Sequence, residues 1–262
     1  MDQLPGLLDT LDLKAIPGKA GRVNPLTGLL NEVVNPPLLG QGSEIGHTDE
    51  DGNFHVTNPI ARQTYFDQWF GGSKLLDKEG NPKVFYHGSA NDFSEFKKKA
   101  GGIYFTDDFT SGVSFTEDRQ GDPGEFYLKA DRIFNASPKD ITDKEISLLK
   151  EIMSVYITKE EQSDAAQIMD VPFEDADPYE TFTDGEFWHF YGRDTQDAIL
   201  KILNDNGFDA VVFPDHLVLG EPHTSTVIFD PKRIKSVKNR GTYDPNNPDY
   251  LSRVTPQTGL IG

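Results

Sequence analysis

The sequence predicts an α+β domain built on antiparallel sheet, and three observations carry that prediction. Its β-type runs are many and short, from Lys83–His87 through Ser225–Phe229. Only two clear amphipathic helices lie between them, too few to cover both faces of a doubly wound parallel sheet. There is also no phosphate-cradling P-loop and no G-x-G-x-x-G, so any dinucleotide site here is built without a Rossmann unit.

Taken in order, residues 1–58 are broken by Pro5, Pro17, Pro25, Pro36 and Pro37, with glycines between them. The pairs Leu7-Leu8, Leu29-Leu30, Val33-Val34 and Leu38-Leu39 form small apolar clusters without a sustained period. A flexible leader is one reading. Disordered tails rarely carry so many paired aliphatics, so the other is an extended N-terminal arm that docks on a partner. After Asn58-Pro59, the spacing of Ile60, Tyr65, Phe66, Trp69 and Phe70 fits one helical face, ended by Gly71-Gly72. Asp77–Pro82 is a turn into the strand Lys83–His87. Phe93-Ser94-Glu95-Phe96 follows, then the strand Gly102–Thr106 and a short helix from Asp107 or Asp108. Glu125–Leu128 reads as a strand, and Ile133-Phe134 opens another edge.

Residues 139–205 read as mostly helical. Ile146, Leu149, Ile152, Met153 and Tyr156 make a stripe along Asp143–Tyr156, with Thr142 or Asp143 as its cap. Asp194–Leu203 is a second helix, ended by Asn204-Asp205-Asn206-Gly207. Phe208–Phe213 is a buried strand, and Ser225–Phe229 another, closed by Asp230-Pro231. The Pro-, Asn- and Gly-rich stretch Gly241–Gly262 is expected to run over the surface. The chain thus divides into an arm (1–58), a domain (59–245) carrying a mostly helical acidic insertion (139–205), and an irregular tail (246–262).

Composition narrows the function classes. With 25 Lys and Arg against 43 Asp and Glu, the formal charge is −18, which argues against a nucleic-acid surface, because such surfaces collect cations. There are no cysteines, so disulfides and thiolate zinc sites are excluded. His47, His55, His189, His216 and His223 show no metal-ligand spacing, and neither Asp49-Glu50-Asp51-Gly52 nor Asp170–Glu186 has EF-hand spacing; no metal is expected. The start Met1-Asp2-Gln3-Leu4-Pro5 does not read as a signal peptide, and no stretch approaches a membrane span, so a soluble protein with no membrane partner is expected. From Glu160 to Gly192 there is no Lys or Arg. A solvated insertion explains this, and a docking face for a basic partner or a nucleic-acid mimic is its rival. The interleaved Phe173, Tyr179, Phe182, Phe187, Trp188, Phe190 and Tyr191 favour a packed insertion over a loose tail.

The most informative segments are Val84-Phe85-Tyr86-His87-Gly88-Ser89 and Gly101-Gly102-Ile103-Tyr104-Phe105-Thr106. Each is a short β-type run with a special side chain and an adjacent glycine, a residue that permits close approach of another molecule to the backbone. The pair resembles the opening half of the nicotinamide pocket in ADP-ribosyltransferases of the His-Tyr-Glu type, the group of diphtheria toxin and the poly-ADP-ribose polymerases. The likeness narrows to the form found in polyvalent proteins of bacteriophages and related mobile elements. Phe66–Lys74, Asp77–Pro82, Tyr86–Ser89, Gly207–Val211, Val227–Ser236 and Asn239–Pro245 carry it, over about Phe66 to Pro245.

The resemblance implies a split antiparallel β-sandwich with an NAD cleft. In it His87, Gly88, Ser89, Tyr104 and Phe115 are the expected cofactor-binding residues. The Gly88 backbone would pair with the carboxamide, His87 with a ribose hydroxyl, and Phe115 would stack on the ring. It implies transfer of ADP-ribose from NAD to a host macromolecule, in a virion or host cytoplasm, with host proteins or other virion proteins as partners. The last strand departs from the pattern: aligning Val227-Ile228-Phe229-Asp230 puts Ser225 at the position of the catalytic glutamate. A serine carries no charge for an oxocarbenium-like transition state, and losing one such group costs about 10²–10³ in rate. Glu221 shares its strand parity but lies about 13 Å away along an extended chain; Glu117 and Glu125 are other candidates. The departure keeps two expectations open: a weakened transferase, or an inactive virion or accessory protein that uses the fold as a scaffold and docks through its arm.

Overall fold

The computed structural model describes residues 45–89, 93–99, 101–116, 122–137, 140–169, 172, 192–215 and 223–251. Among these, seven strands form one sheet: β3 (Val84–His87), β4 (Ile103–Thr106), β5 (Gly124–Leu128), β6 (Ile133–Asn135), β7 (Ala210–Asp215), β8 (His223–Ile228) and β9 (Ile234–Ser236), in the order β6-β7-β8-β4-β3-β5-β9. Only β6 and β7 run parallel; every other neighbouring pair is antiparallel. The α+β class read from the strand lengths is the one observed.

The sheet is not uniformly zipped. β3 pairs with β5 through four residues and β4 with β8 through four, yet β3 and β4 meet at a single pair, Tyr86 with Thr106. The strands splay past that point, so β6-β7-β8-β4 and β3-β5-β9 form two halves joined at a seam. Peptide groups that leave a ladder need other partners, and polar side chains can supply them there.

Side-chain alternation assigns the two faces. On one, Val211, Phe213 and Val227 pack with Leu149, Ile152 and Met153 of α3 (Asp143–Tyr156) and with Ile199, Leu200 and Leu203 of α5 (Arg193–Asp205). On the other, Phe85, Phe96, Ile103, Phe105, Phe126, Leu128, Ile228 and Ile234 form a second core. α3 is held by the capping box between Thr142 and Glu145. α4 (Lys159–Met169) is tied to α5 by Glu161, whose Oε1 accepts from the Gly192 N–H at 3.1 Å and the Thr195 hydroxyl at 2.8 Å. The aromatic residues read into the insertion between Phe173 and Tyr191 lie outside the described residues.

α1 (Pro59–Phe70) begins where Asn58-Pro59 predicts, with Asn58 Oδ1 accepting from the Ile60 and Ala61 N–H groups at 2.9 and 3.1 Å. It buries Trp69 and Phe70 against Tyr243. Just before it, a hairpin of β1 (Gly46–Thr48) and β2 (Phe54–Val56) lies within the stretch read as arm. Asp49 caps its turn, Val56 is buried, and the Val56 N–H donates to the Arg240 carbonyl at 2.6 Å. Two three-residue strands are too short to show a period in sequence. The arm's remainder, residues 1–44, lies outside the described residues.

The first part of the stretch expected on the surface is likewise packed: Tyr243 and Asp249 are buried. Lys235 on β9 is the reason for part of this order. Fully buried, its Nζ donates to the Asn247 carbonyl at 2.5 Å and the Asp249 carbonyl at 3.2 Å. Burial pulls its pKa from 10.5 down to about 8, against the pull of Asp244, Asp249 and Asp230. The unfolded chain therefore holds more protons than the folded one between pH 8 and 10.5, so this group makes stability rise with pH across that window. Urea midpoints at pH 7.5 and 10.5 are expected to show a larger pH-dependent gain in the wild type than in Lys235→Met. Equal gains in both proteins would contradict the assignment. No helix among the described residues is long and apolar enough to cross a membrane.

Candidate functional site

Where β3 and β4 part, the ring of His87 enters the seam. Its Nδ1 lies 2.7 Å from the Tyr104 carbonyl; a carbonyl only accepts, so Nδ1 carries the hydrogen. The side chain thus makes a bond near the point where the ladder stops. Rings of Phe93, Phe96, Phe105 and Phe126 stand around it with centroids 5.0–6.5 Å away. That burial lowers the His87 pKa below 6.5, with the Tyr104 bond opposing and Lys99 assisting. The imidazole is neutral at pH 7, and with Nδ1 protonated its Nε2 is a hydrogen-bond acceptor.

The seam opens into a cleft of about 780 Å³ lined by Tyr86, His87, Gly88, Lys99, Tyr104, Phe105, Thr106, Phe115, Arg193, Gln196, Asp197, Asp215 and Ser225. This lies within the size range of small-molecule sites. A second cavity of about 410 Å³ shares His87, Lys99, Tyr104, Arg193 and Asp197 and adds Ser89 and Lys97. The expected residues His87, Gly88, Tyr104, Phe115 and Ser225 therefore meet in one cleft, with Ser89 beside it. Glu221 and Glu117 lie outside the described residues. Glu125, paired across from Tyr86 on β5, lines neither cavity.

Electrostatics differentiate the walls. Burial, Asp197 and Asp215 push the Tyr104 phenol far above its usual range, so it remains a hydrogen-bond donor at any physiological pH. Lys99 and Arg193 bring cations into the cleft of a chain whose net charge is −18. Phe115, at the end of α2 (Phe109–Ser114), is 52% exposed and leaves a ring face open for stacking. Tyr86 stands edge-on to Phe109 at 5.4 Å.

The two glycines have a use that the sequence reading did not assign them. A Cβ at Gly88 would lie 2.4 Å from the Gly112 carbonyl and 2.6 Å from Phe115 atoms, so its bareness lets α2 close on β3. Gly102 adopts φ +79°, and a Cβ there would lie 2.3 Å from Val227. Both are needed by the chain's own packing, which sets Phe115 and Tyr104 in place.

Sequence reasoning missed Asp215, Arg193, Gln196 and Asp197. The last three lie at the first turns of α5, on the i, i+3, i+4 face that meets the cleft. Asp215 was hidden by Pro214, which reads as a strand end, although β7 continues through Pro214 opposite Thr224 to Asp215 opposite His223. Pro is tolerated near strand ends because one lost N–H there breaks little of the ladder. Ser225, 10 residues further on, donates its hydroxyl to Asp215 Oδ2 at 2.6 Å.

A family model described as ADP-ribosyltransferase in polyvalent proteins matches residues 77–243, more than half of the chain. No curated protein and no solved structure matches.

Proposed function

The chain belongs to the ADP-ribosyltransferase family of polyvalent proteins, and from that premise we propose that its cleft binds NAD+ and transfers ADP-ribose to a host macromolecule, in the setting of a phage or mobile element. The observation that carries this reading is the seam itself: neutral His87 bonded to the Tyr104 carbonyl, inside a cleft shared with Tyr86, Gly88 and Phe115. The residues fit the ligand by chemistry. Nε2 of His87 accepts from a hydroxyl such as the ribose offers, the peptide groups of Gly88 at the cleft wall suit the carboxamide, and the exposed ring of Phe115 suits a planar pyridinium. Lys97, Lys99 and Arg193 along the joined cavities suit a diphosphate. When bound, NAD+ supplies an activated N-glycosidic bond; the protein's part is to fix the amide and ring and to place negative charge near the ribose.

Calorimetric titration with NAD+, with nicotinamide release followed by proton NMR in the same sample, tests the proposal. Binding with release is the expected result. Binding without release would favour the scaffold reading, which rests on Ser225 at the glutamate position. No binding at all would overturn the NAD site and leave residues 1–44 and the acidic insertion as the surfaces to test for virion partners.

A further inference from the structure

Resting on the reading of this cleft as an NAD site, we propose that Asp215 is the catalytic carboxylate of the chain and that Ser225 is its positioning residue. β7 and β8 are antiparallel neighbours, with Asp215 opposite His223 and Phe213 opposite Ser225. Residues directly opposite, and those two apart on one strand, share a face, so Asp215, His223 and Ser225 all project to the same side. β4 extends that face, because Thr106 is opposite Ser225 and Tyr104 opposite Val227. The carboxylate therefore stands on the same sheet surface as Tyr104, one strand beyond the position where a glutamate was expected.

Its setting is that of a held group. Asp215 is 4% exposed and Ser225 7%, and both line the cleft with Tyr86, His87, Tyr104 and Phe115. The Ser225 hydroxyl donates to Asp215 Oδ2 at 2.6 Å, and His223 Nε2 lies 3.7 Å from the same oxygen. A serine nucleophile would need the imidazole between hydroxyl and carboxylate. Here the hydroxyl is directed at the carboxylate itself, so the serine orients and the aspartate acts. Asp197, the other acid of the cleft, is half-buried on α5, with its Oδ1 beside Gly101.

In the transfer the bond from ribose C1′ to the nicotinamide nitrogen breaks, and its electron pair returns to the ring to give neutral nicotinamide. The nucleophilic atom of the acceptor, or of water, bonds C1′, and its proton passes to Asp215. Before that, the Asp215 carboxylate faces the positive charge that develops on the ribose, the duty of the glutamate that Ser225 replaces.

The test measures NAD+ affinity and nicotinamide release for the full chain and its variants. Asp215→Asn is expected to slow release by about 10²–10³-fold while changing the NAD+ dissociation constant by no more than about threefold. Ser225→Ala is expected to lower kcat with KM unchanged, and Ser225→Thr to recover most of it, a split that a purely structural role would not give. Release at wild-type rate in Asp215→Asn overturns the assignment and leaves the NAD reading standing. A wild type that binds NAD+ without release overturns the catalytic role, and one that does not bind NAD+ overturns the reading beneath it. If Asp215→Asn fails to fold, the exchange Asp215→Ser with Ser225→Glu decides. That variant restores the carboxylate–hydroxyl pair in reverse; turnover in it supports the proposal, and a folded exchange variant without turnover refutes it.

Discussion

Replacing His87 by alanine is expected to weaken NAD+ binding by about tenfold or more and to reduce nicotinamide release to the buffer rate, the loss of one buried hydrogen bond being worth about 1–3 kcal/mol. Two effects add. The ring leaves the cleft wall, and the Tyr104 carbonyl loses the Nδ1–H that meets it at 2.7 Å where the strands part. The seam then lacks the group that fixes Tyr104 relative to β3. Urea unfolding should show a second signature. Because burial lowers the folded pKa of His87 below 6.5, the unfolded chain protonates first as pH falls below that value, and stability is lost through the window down to the folded pKa. His87→Ala removes this component, so its midpoint should fall less between pH 7 and pH 5 than the wild type's. An unchanged affinity for NAD+ in a folded His87→Ala protein would remove the histidine from the site.

Gly102→Ala is expected to destabilise the domain by about 2–5 kcal/mol, the sum of a left-handed alanine at about 1–2 kcal/mol and core overpacking at about 1–3 kcal/mol. The left-handed backbone (φ +79°) is one cost, and the methyl group driven to 2.3 Å from Val227 Cγ1 is the other. Gly80 separates them. It too is left-handed, at φ +86°, but a Cβ there meets nothing within 4 Å, so Gly80→Ala should cost only the conformational part, about 1–2 kcal/mol. Chemical denaturation of both variants gives the comparison. Equal losses would mean that β4 and β8 yield to the methyl group and that Tyr104 is less firmly placed than the close packing implies.

Much of this architecture was legible because it is local. Asn58-Pro59 set the start of α1, and Thr142 with Glu145 the start of α3, through hydrogen bonds that span only two or three residues. The strand through Tyr86 and His87 and the strand through Tyr104 were readable as short β-type runs with glycines beside them, and the same segments carried the family likeness. What failed to show were features too short to have a period, such as β1 and β2, and features masked by a misleading signal, such as the Pro214 that concealed the end of β7. The packing of Tyr243 and the burial of Lys235 were equally hidden, since each depends on partners supplied by a different part of the chain.

The sequence by itself therefore determined the α+β class, most of the elements from α1 onward and the His87 and Tyr104 segments, and it carried the expectation that Ser225 stands at the glutamate position. Tertiary structure alone decided that the sheet parts after the Tyr86–Thr106 pair, that His87 bonds Tyr104 across that opening, and that a carboxylate stands beside Ser225 after all. The physical reason is register. Propensity and periodicity act over a few neighbouring residues, whereas the meeting of Asp215 with Ser225 depends on how two antiparallel strands align, and a slip of one residue would turn every side chain of one strand to the opposite face.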